Sequence, residues 1–287
     1  MTEQDLEQQR AHKWHLNGDP IRTVEQAREF IAEVGFCVMY PERSLHAVPS
    51  FIGAYTGSAE GLPDAKHAFA DPRSREATDL MVRLLRERSA YEMSLFPGTD
   101  LIVAANLFPY FYALIADQNP KAPPKVRAQG TRISPLAVDV FLAIQKDGPL
   151  SKDRLRELVS RELSDAALDR ALGELWSILK IVRVDYRDGE GIFWDVLYRW
   201  STTVVKEALD ISEPEAISAL LSKFLETMVA ASQEEIEGFF THVTSRSKVR
   251  EAINALLSAR ELSFVGAGPK TLIRLTPVPE PRRRIHG

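Results

Sequence analysis

Twice in its second half the chain runs through the same succession of local signals, and this repetition constrains the fold more than any other feature. From 134 to 196, helical stretches begin at Ser134-Pro135, Ser151 and Ser164. Two short apolar runs, 181–186 and 192–196, then flank Arg187-Asp188-Gly189-Glu190-Gly191. From 212 to 275, helices begin at Ser212-Glu213-Pro214-Glu215, at Ser232-Gln233-Glu234-Glu235 and at Ser245. The runs 262–265 and 271–275 follow, around Gly266-Ala267-Gly268-Pro269-Lys270. A serine hydroxyl before a helix accepts an otherwise unpaired amide, and proline is tolerated at the first helical position. In Ser232…Glu235 the glutamate can reciprocate toward the serine amide. Leu168, Leu172, Leu175 and Leu179, with Trp176, form an inward stripe; Val249, Ile253, Leu256 and Leu257 form another. Three helices followed by a glycine-turned hairpin is winged-helix order, a helix-turn-helix with a β-wing. The expected class is mainly α with small β-hairpins (α+β), built from tandem winged-helix repeats.

The first half reads as a divergent third repeat. Thr23-Val24-Glu25-Gln26 has capping-box spacing, and Gly35 ends a helix that turns Ala27, Ile31 and Val34 inward. Pro41, Pro49, Gly53, Gly57, Gly61 and Pro63 break 36–72 into short elements and loops. A helix over 74–88 with Leu80, Met81, Leu84 and Leu85 inward precedes strands at 91–96 and 101–104 around Pro97-Gly98-Thr99. The expected organisation is a flexible 1–20, a winged-helix-like 21–116, a linker at 117–131, winged helices at 132–200 and 212–277, and a basic tail at 278–287. Pro120, Pro123, Pro124 and Gly130 mark the linker as extended and solvated.

With 287 residues and a net charge of −4, the chain does not coat nucleic acid by bulk charge, though a local basic patch remains compatible. One cysteine, Cys37, excludes an internal disulfide and a cysteine-based zinc finger, and fits a reducing compartment as a buried thiol. No run of about 18 apolar residues predicts a membrane span, and the acidic Met1-Thr2-Glu3-Gln4-Asp5 lacks secretory character, so a cytoplasmic protein is expected. No P-loop or well-placed Rossmann glycines occur; His12 and His15 could present two imidazoles from a loosely held stretch, but His46, His67, His242 and His286 lack ligand spacing, and neither cofactor nor metal is expected.

The two later repeats differ on their outward faces. In the first, Asp165, Asp169, Arg170 and Glu174 on the third helix and Asp185, Arg187, Asp188, Glu190 and Asp195 on the wing would repel phosphates, which suits a protein partner better than a groove. In the second, Arg246, Arg250 and Asn254 stand four residues apart, with Ser245, Ser247 and Lys248 beside them. Lys270 lies on the wing, and Arg282, Arg283 and Arg284 lie beyond it. Arginine can bond guanine bidentately and asparagine adenine, while lysine and serine hold phosphates, so double-stranded DNA is the expected partner. The plain alternative is a solvated helix face, its charge diluted by Glu251. Glu92 and Asp100 are read first as surface carboxylates and, alternatively, as an acid or base facing a cleft.

Three further stretches carry a resemblance: Gly35-Phe36-Cys37-Val38-Met39-Tyr40-Pro41, Val48-Pro49-Ser50 and Leu107-Phe108-Pro109-Tyr110-Phe111-Tyr112-Ala113-Leu114. They are similar to a bacterial family related to the tandem winged-helix DNA glycosylases of the AlkZ type, which unhook interstrand crosslinks. The similarity spans roughly 20–276, and it implies three winged-helix units in a C around DNA and a role in repair or damage recognition. Those glycosylases use a Gln-apolar-Gln or Gln-apolar-Asp motif shortly after the first helix. Val38-Met39-Tyr40 occupies that place, with both polar positions replaced. Valine cannot orient water, and a phenol with a pKa of about 10 is a poor base near neutrality. Tyr91-Glu92-Met93-Ser94-Leu95-Phe96-Pro97 resembles the strand supporting the glycosylase site; Glu92 is retained, while Tyr91 stands where the family has histidine. Phe69 falls in a loop where the relatives tend to have tryptophan. The implied function is DNA binding without catalysis. One alternative is a glycosylase with a displaced carboxylate, Glu92 or Asp100, and Tyr40, Tyr55 or Tyr91 stacking on a flipped base. The other is a protein-interaction scaffold acting through the acidic first wing.

Overall fold

The computed structural model describes residues 1–277 apart from 43, 44, 46, 47, 67, 97, 118, 129 and 130. Arg282, Arg283, Arg284, His46, His67 and His286 therefore lie outside the described residues. The chain opens with α1 (Glu3–Lys13). A first segment follows: α2 (Val24–Val34), β1 (Phe36–Val38), α3 (Phe51–Thr56), α4 (Pro72–Arg86), β2 (Ala90–Phe96) and β3 (Thr99–Ala104). Then come α5 (Phe108–Ile115) and a small hairpin, β4 (Arg127–Ala128) with β5 (Thr131–Arg132). The second segment holds α6 (Pro135–Asp147), β6 (Leu150–Ser151), α7 (Lys152–Val159), α8 (Asp165–Ser177), β7 (Ile181–Arg187) and β8 (Gly191–Val196). After α9 (Leu197–Trp200) and α10 (Thr202–Leu209), the third segment holds α11 (Glu213–Met228), α12 (Gln233–Phe240), α13 (Arg246–Ser258), β9 (Leu262–Ala267) and β10 (Lys270–Leu275).

One topology recurs. In the first segment the antiparallel sheet has the order β1-β3-β2, and in the second β6-β8-β7. In the third, β10 lies between β9 and a single antiparallel bridge from Ala231 to Ile273, which takes the place of the short first strand. Each segment is thus helix, short strand, two helices and a hairpin whose last strand is central. Serine caps start all six helices of the later two segments: Ser134, Ser151, Ser164, Ser212, Ser232 and Ser245 each accept an amide of the first turn.

The segments are joined unequally. Phe36 of the first segment meets Phe239 of α12 at 5.1 Å and Phe224 of α11 at 6.2 Å, and Phe96 meets Phe239 at 5.3 Å. The first and third segments therefore share one apolar core. The helices of the second have a core of their own, around Val140, Phe141, Ile144, Leu155, Leu168, Leu172 and Leu175, while Val182, Val184 and Phe193 of its hairpin pack into the shared one. Gly35 sits at the shared seam with φ +76°, and an added Cβ would fall 2.7 Å from Lys223 Cε of α11.

Three expectations are corrected. Residues 1–20 are not loosely held: Thr2 and Asp5 form a capping box for α1. Arg10 donates from Nε to Met228 O at 2.9 Å and from Nη2 to Ala230 O at 2.7 Å, and Trp14 Nε1 donates to Thr227 O at 2.9 Å. The last turn of α11 and the residues after it leave carbonyls without helical partners, and α1 supplies donors to them. The stretch 117–131 is not simply extended and solvated: the buried Lys180 ammonium donates to Asn119 O at 2.6 Å and Ala122 O at 3.0 Å, and β4–β5 pairs part of it. The helices α5, α9 and α10 were not foreseen. Phe108, Phe111 and Tyr112 of α5 are buried, and its apolar run is too continuous to show a helical period.

Candidate functional site

The first constellation lies where the first and second segments meet. Register places Glu92 opposite Ile102 and Ser94 opposite Asp100, so Glu92, Ser94 and Asp100 project from one face of the β2–β3 ladder. Arg183 of β7 reaches them. Its Nη1 donates to Asp100 Oδ2 at 2.7 Å and stands 3.5 Å from Glu92 Oε2. The guanidinium carbon lies 3.8 Å from the Trp176 ring centroid and 5.2 Å from that of Trp194. Trp176 Nε1 donates to Glu92 O at 3.1 Å. Glu92 is only 7 % exposed, which corrects its reading as a surface carboxylate. Burial raises its pKa above the ordinary glutamate value; Arg183 opposes that rise, and Asp100 adds to it. Asp100 is partly exposed and is taken by the same arginine. The two carboxylates are thus brought together, as joint partners of one guanidinium stacked on tryptophan.

The strand carrying the resemblance faces elsewhere. Val38 pairs with Leu101, in the ladder row of Met93, whereas Glu92 lies in the row of Cys37 and Ile102. Adjacent rows project to opposite faces, so Glu92 does not share a face with position 38. Val38 is fully buried, and only Met39 and Tyr40 are partly open. Of the aromatics considered for stacking, Tyr91 is buried against Phe108 at 4.4 Å, and Tyr55 is buried and donates to Glu76. Cys37 is buried, which pushes its thiol pKa up and keeps it inert.

The second constellation is the outward face of α13. Ser245 caps the helix, Val249, Ile253 and Leu256 bury the other side, and Arg246, Ser247, Lys248, Arg250 and Asn254 are exposed. The cations are not bare. Arg250 donates from Nε to Glu237 Oε1 at 2.6 Å and from Nη2 to Glu237 Oε2 at 3.0 Å, and Arg246 Nε lies 3.2 Å from the same Oε2. Gln233 Nε2 donates to Glu237 Oε1 at 2.7 Å. The hydrogen bonds from Arg250 and Gln233 hold the Glu237 carboxyl down at about 2. Lys248 reaches Glu213 at 2.7 Å, and Lys270 of the hairpin lies 3.5 Å from Glu3 of α1. Glu237 was missed in the sequence. The Gln233–Glu237 spacing of four was visible, but its approach to α13 is a tertiary contact.

The corresponding acids of the second segment are largely engaged. Asp165 pairs with Arg156, Asp169 with Lys152, and Glu174 accepts from the Ser134 amide at 2.7 Å. Asp185 accepts from Arg86 Nε of α4 at 2.5 Å and from Arg187 Nε at 3.0 Å. Asp195 is not an outward wing residue: it is 3 % exposed and holds Arg199. Arg199 in turn donates to Ile144 O and Gln145 O, both at 2.8 Å, closing the end of α6. Arg170, Asp188 and Glu190 are exposed. Among the described residues no group of three His, Cys, Asp or Glu stands close enough to hold a metal, and no helix is long and apolar enough to cross a membrane.

Comparison with known proteins agrees with this architecture. The structure superposes on the Streptomyces sahachiroi DNA glycosylase AlkZ with a TM-score of 0.57 and 15 % sequence identity, covering 96 % of this chain and 70 % of that one; at such identity the likeness is one of fold. Comparison with curated protein sequences gives no match. The family described as DNA glycosylase AlkZ-like matches residues 70–285, most of the chain. The chain therefore belongs to the AlkZ-like DNA glycosylase family.

Proposed function

We propose that this protein is a tandem winged-helix DNA-binding member of its family that does not excise bases at the family's usual position. In this reading the three segments are winged-helix units, and α13 of the third is the helix that meets the duplex. The observation that carries the proposal is the exposed face of α13. Arg246 and Arg250 keep more than half of their side-chain surface in solvent, at 61 % and 54 %, beside exposed Ser247, Lys248 and Asn254. Lys248 and Lys270 contact carboxylates that are themselves about half exposed, Glu213 at 46 % and Glu3 at 57 %. Such pairs are worth little in water, and phosphates can displace them. The lack of catalysis is supported by Val38, which has no polar group and no access to solvent. Family membership favours a role in DNA repair or damage recognition. The engagement of Asp185 and Asp195 within the chain weighs against a protein-scaffold role for the acidic first wing.

A second reading has one specific support. A buried carboxylate with a raised pKa beside another carboxylate is the pattern of an acid–base pair, and Glu92 with Asp100 shows it. One assay separates the readings: incubation with duplexes carrying alkylated bases or an interstrand crosslink, scoring both retention and abasic product. Retention without base release is the expected result. Base release abolished by Glu92→Gln or Asp100→Asn establishes the glycosylase, and absence of retention removes the DNA-binding reading.

A further inference from the structure

Among the described residues, Glu237 is the acidic partner on the α13 face that is held by burial. Its side chain is 7 % exposed and lies on α12, and its two oxygens collect three hydrogen bonds and one further ion pair: Arg250 Nε and Gln233 Nε2 on Oε1, Arg250 Nη2 and Arg246 Nε on Oε2. An ionised carboxylate offers about four acceptor sites, so these four contacts leave little capacity for anything else.

The geometry of the donors matters more than the charge. A guanidinium carries five N–H groups in a fixed plane. Arg250 turns the edge formed by Nε and Nη2 toward Glu237, which leaves Nη1 outside that contact on a side chain that is more than half exposed. Arg246 approaches the same carboxylate through Nε, leaving both terminal nitrogens. Both side chains remain more than half exposed, at 54 % and 61 %. Two flexible arginines are thereby held with their free forks outward. Less side-chain freedom is then lost when a planar, two-acceptor target docks, whether a guanine edge or a phosphate.

We infer that Glu237 is a positioning residue for the α13 interface, a buried buttress that orients Arg246 and Arg250 toward duplex DNA. The inference rests on the DNA-binding reading and adds to it the residue that organises the contact.

The test exploits a difference in sign. As a mere counter-charge near a polyanion, Glu237 would weaken DNA binding, and Glu237→Gln would tighten it. As a buttress, its replacement weakens binding although a negative charge is removed. Duplex affinity is measured by anisotropy for wild type, Glu237→Gln, Glu237→Asp, Arg250→Lys, the double variant Glu237→Gln/Arg250→Lys, and Arg246→Gln/Arg250→Gln. The aspartate variant keeps the charge, displaces the carboxylate by one methylene, and serves if the glutamine variant does not fold. We expect about three- to tenfold weaker binding for either substitution at 237. The Glu237→Gln effect should shrink to about twofold in the Arg250→Lys background, where the two-nitrogen contact of Arg250 is gone and only Arg246 is left to orient. A merely structural role would lower affinity equally in both backgrounds and overturns the inference. Unchanged or tighter binding on substitution at 237, with Arg246→Gln/Arg250→Gln still disruptive, overturns it and leaves the α13 interface standing. If Arg246→Gln/Arg250→Gln changes nothing, the interface itself is wrong and this inference falls with it.

Discussion

Arg183 is the residue on which the seam between the first two segments turns. It is the cation of a buried carboxylate, Glu92, and of a half-open one, Asp100, and it fills the space over two indoles. Arg183→Met keeps much of the volume but leaves Glu92 without a counter-charge. Breaking a buried pair from one side costs about 3 kcal/mol or more, whereas Glu92→Gln, which leaves Arg183 paired to Asp100, should cost about 1 kcal/mol or less. Chemical denaturation of the two variants checks this order. The pH dependence has a definite sign. The folded pKa of Glu92 already lies above its unfolded value, and loss of Arg183 raises it further. The folded state then holds the proton more tightly, so the Arg183→Met defect is smallest below the unfolded glutamate range near 4.3 and grows as pH rises through the raised value. Glu237 behaves oppositely. Its carboxyl is held down at about 2, so its contribution is fully present above the unfolded glutamate range and is lost as pH falls toward about 2. A carbon-detected titration of its side chain should find that midpoint, and an ordinary glutamate midpoint would contradict the buttress geometry. At this scale the sequence was least legible. Glu92 alternates with apolar neighbours as an edge carboxylate would, and the arrival of α8 and β7 buries it.

At the scale of the element, local chemistry could be read directly because it is local. Six serine caps, the Thr23–Gln26 box and the Gly35 stop need only their own neighbours, and each marks a helix boundary in the structure. Ser164→Ala and Ser232→Ala should each cost about 1 kcal/mol in denaturant unfolding, with the larger effect at Ser232, whose hydroxyl also bonds the reciprocating Glu235. What stayed hidden were elements defined by their partners. The capping residues of α1 were in plain view, but its role was not, since that rests on Arg10 and Trp14 meeting carbonyls of α11 more than two hundred residues away. Trp14→Phe keeps an aromatic ring and removes the donor to Thr227 O; a destabilisation of about 1–2 kcal/mol is expected, because the carbonyl is left buried and unpaired. No change in unfolding free energy would show that α1 is dispensable.

For the whole molecule, a mainly helical chain with small β-hairpins followed from repetition, while the way the segments assemble did not. The Phe36, Phe96, Phe224 and Phe239 cluster that joins the first segment to the third is made of residues that, in sequence, are only core candidates of separate units. Phe239→Ala should cost about 3–5 kcal/mol. Because the helices of the second segment have a core of their own, amides of α6 and α8 should keep their hydrogen-exchange protection while those of α2 and α11 lose it. In the proposed function α13 meets duplex DNA through its arginines. Duplex affinity across a salt series, for wild type and for Arg246→Gln/Arg250→Gln, is the deciding measurement. Weaker binding is expected for the variant, with a log-affinity against log-salt slope shallower by about 0.9 for each phosphate that it no longer neutralises. Superimposable lines for the two proteins would contradict it.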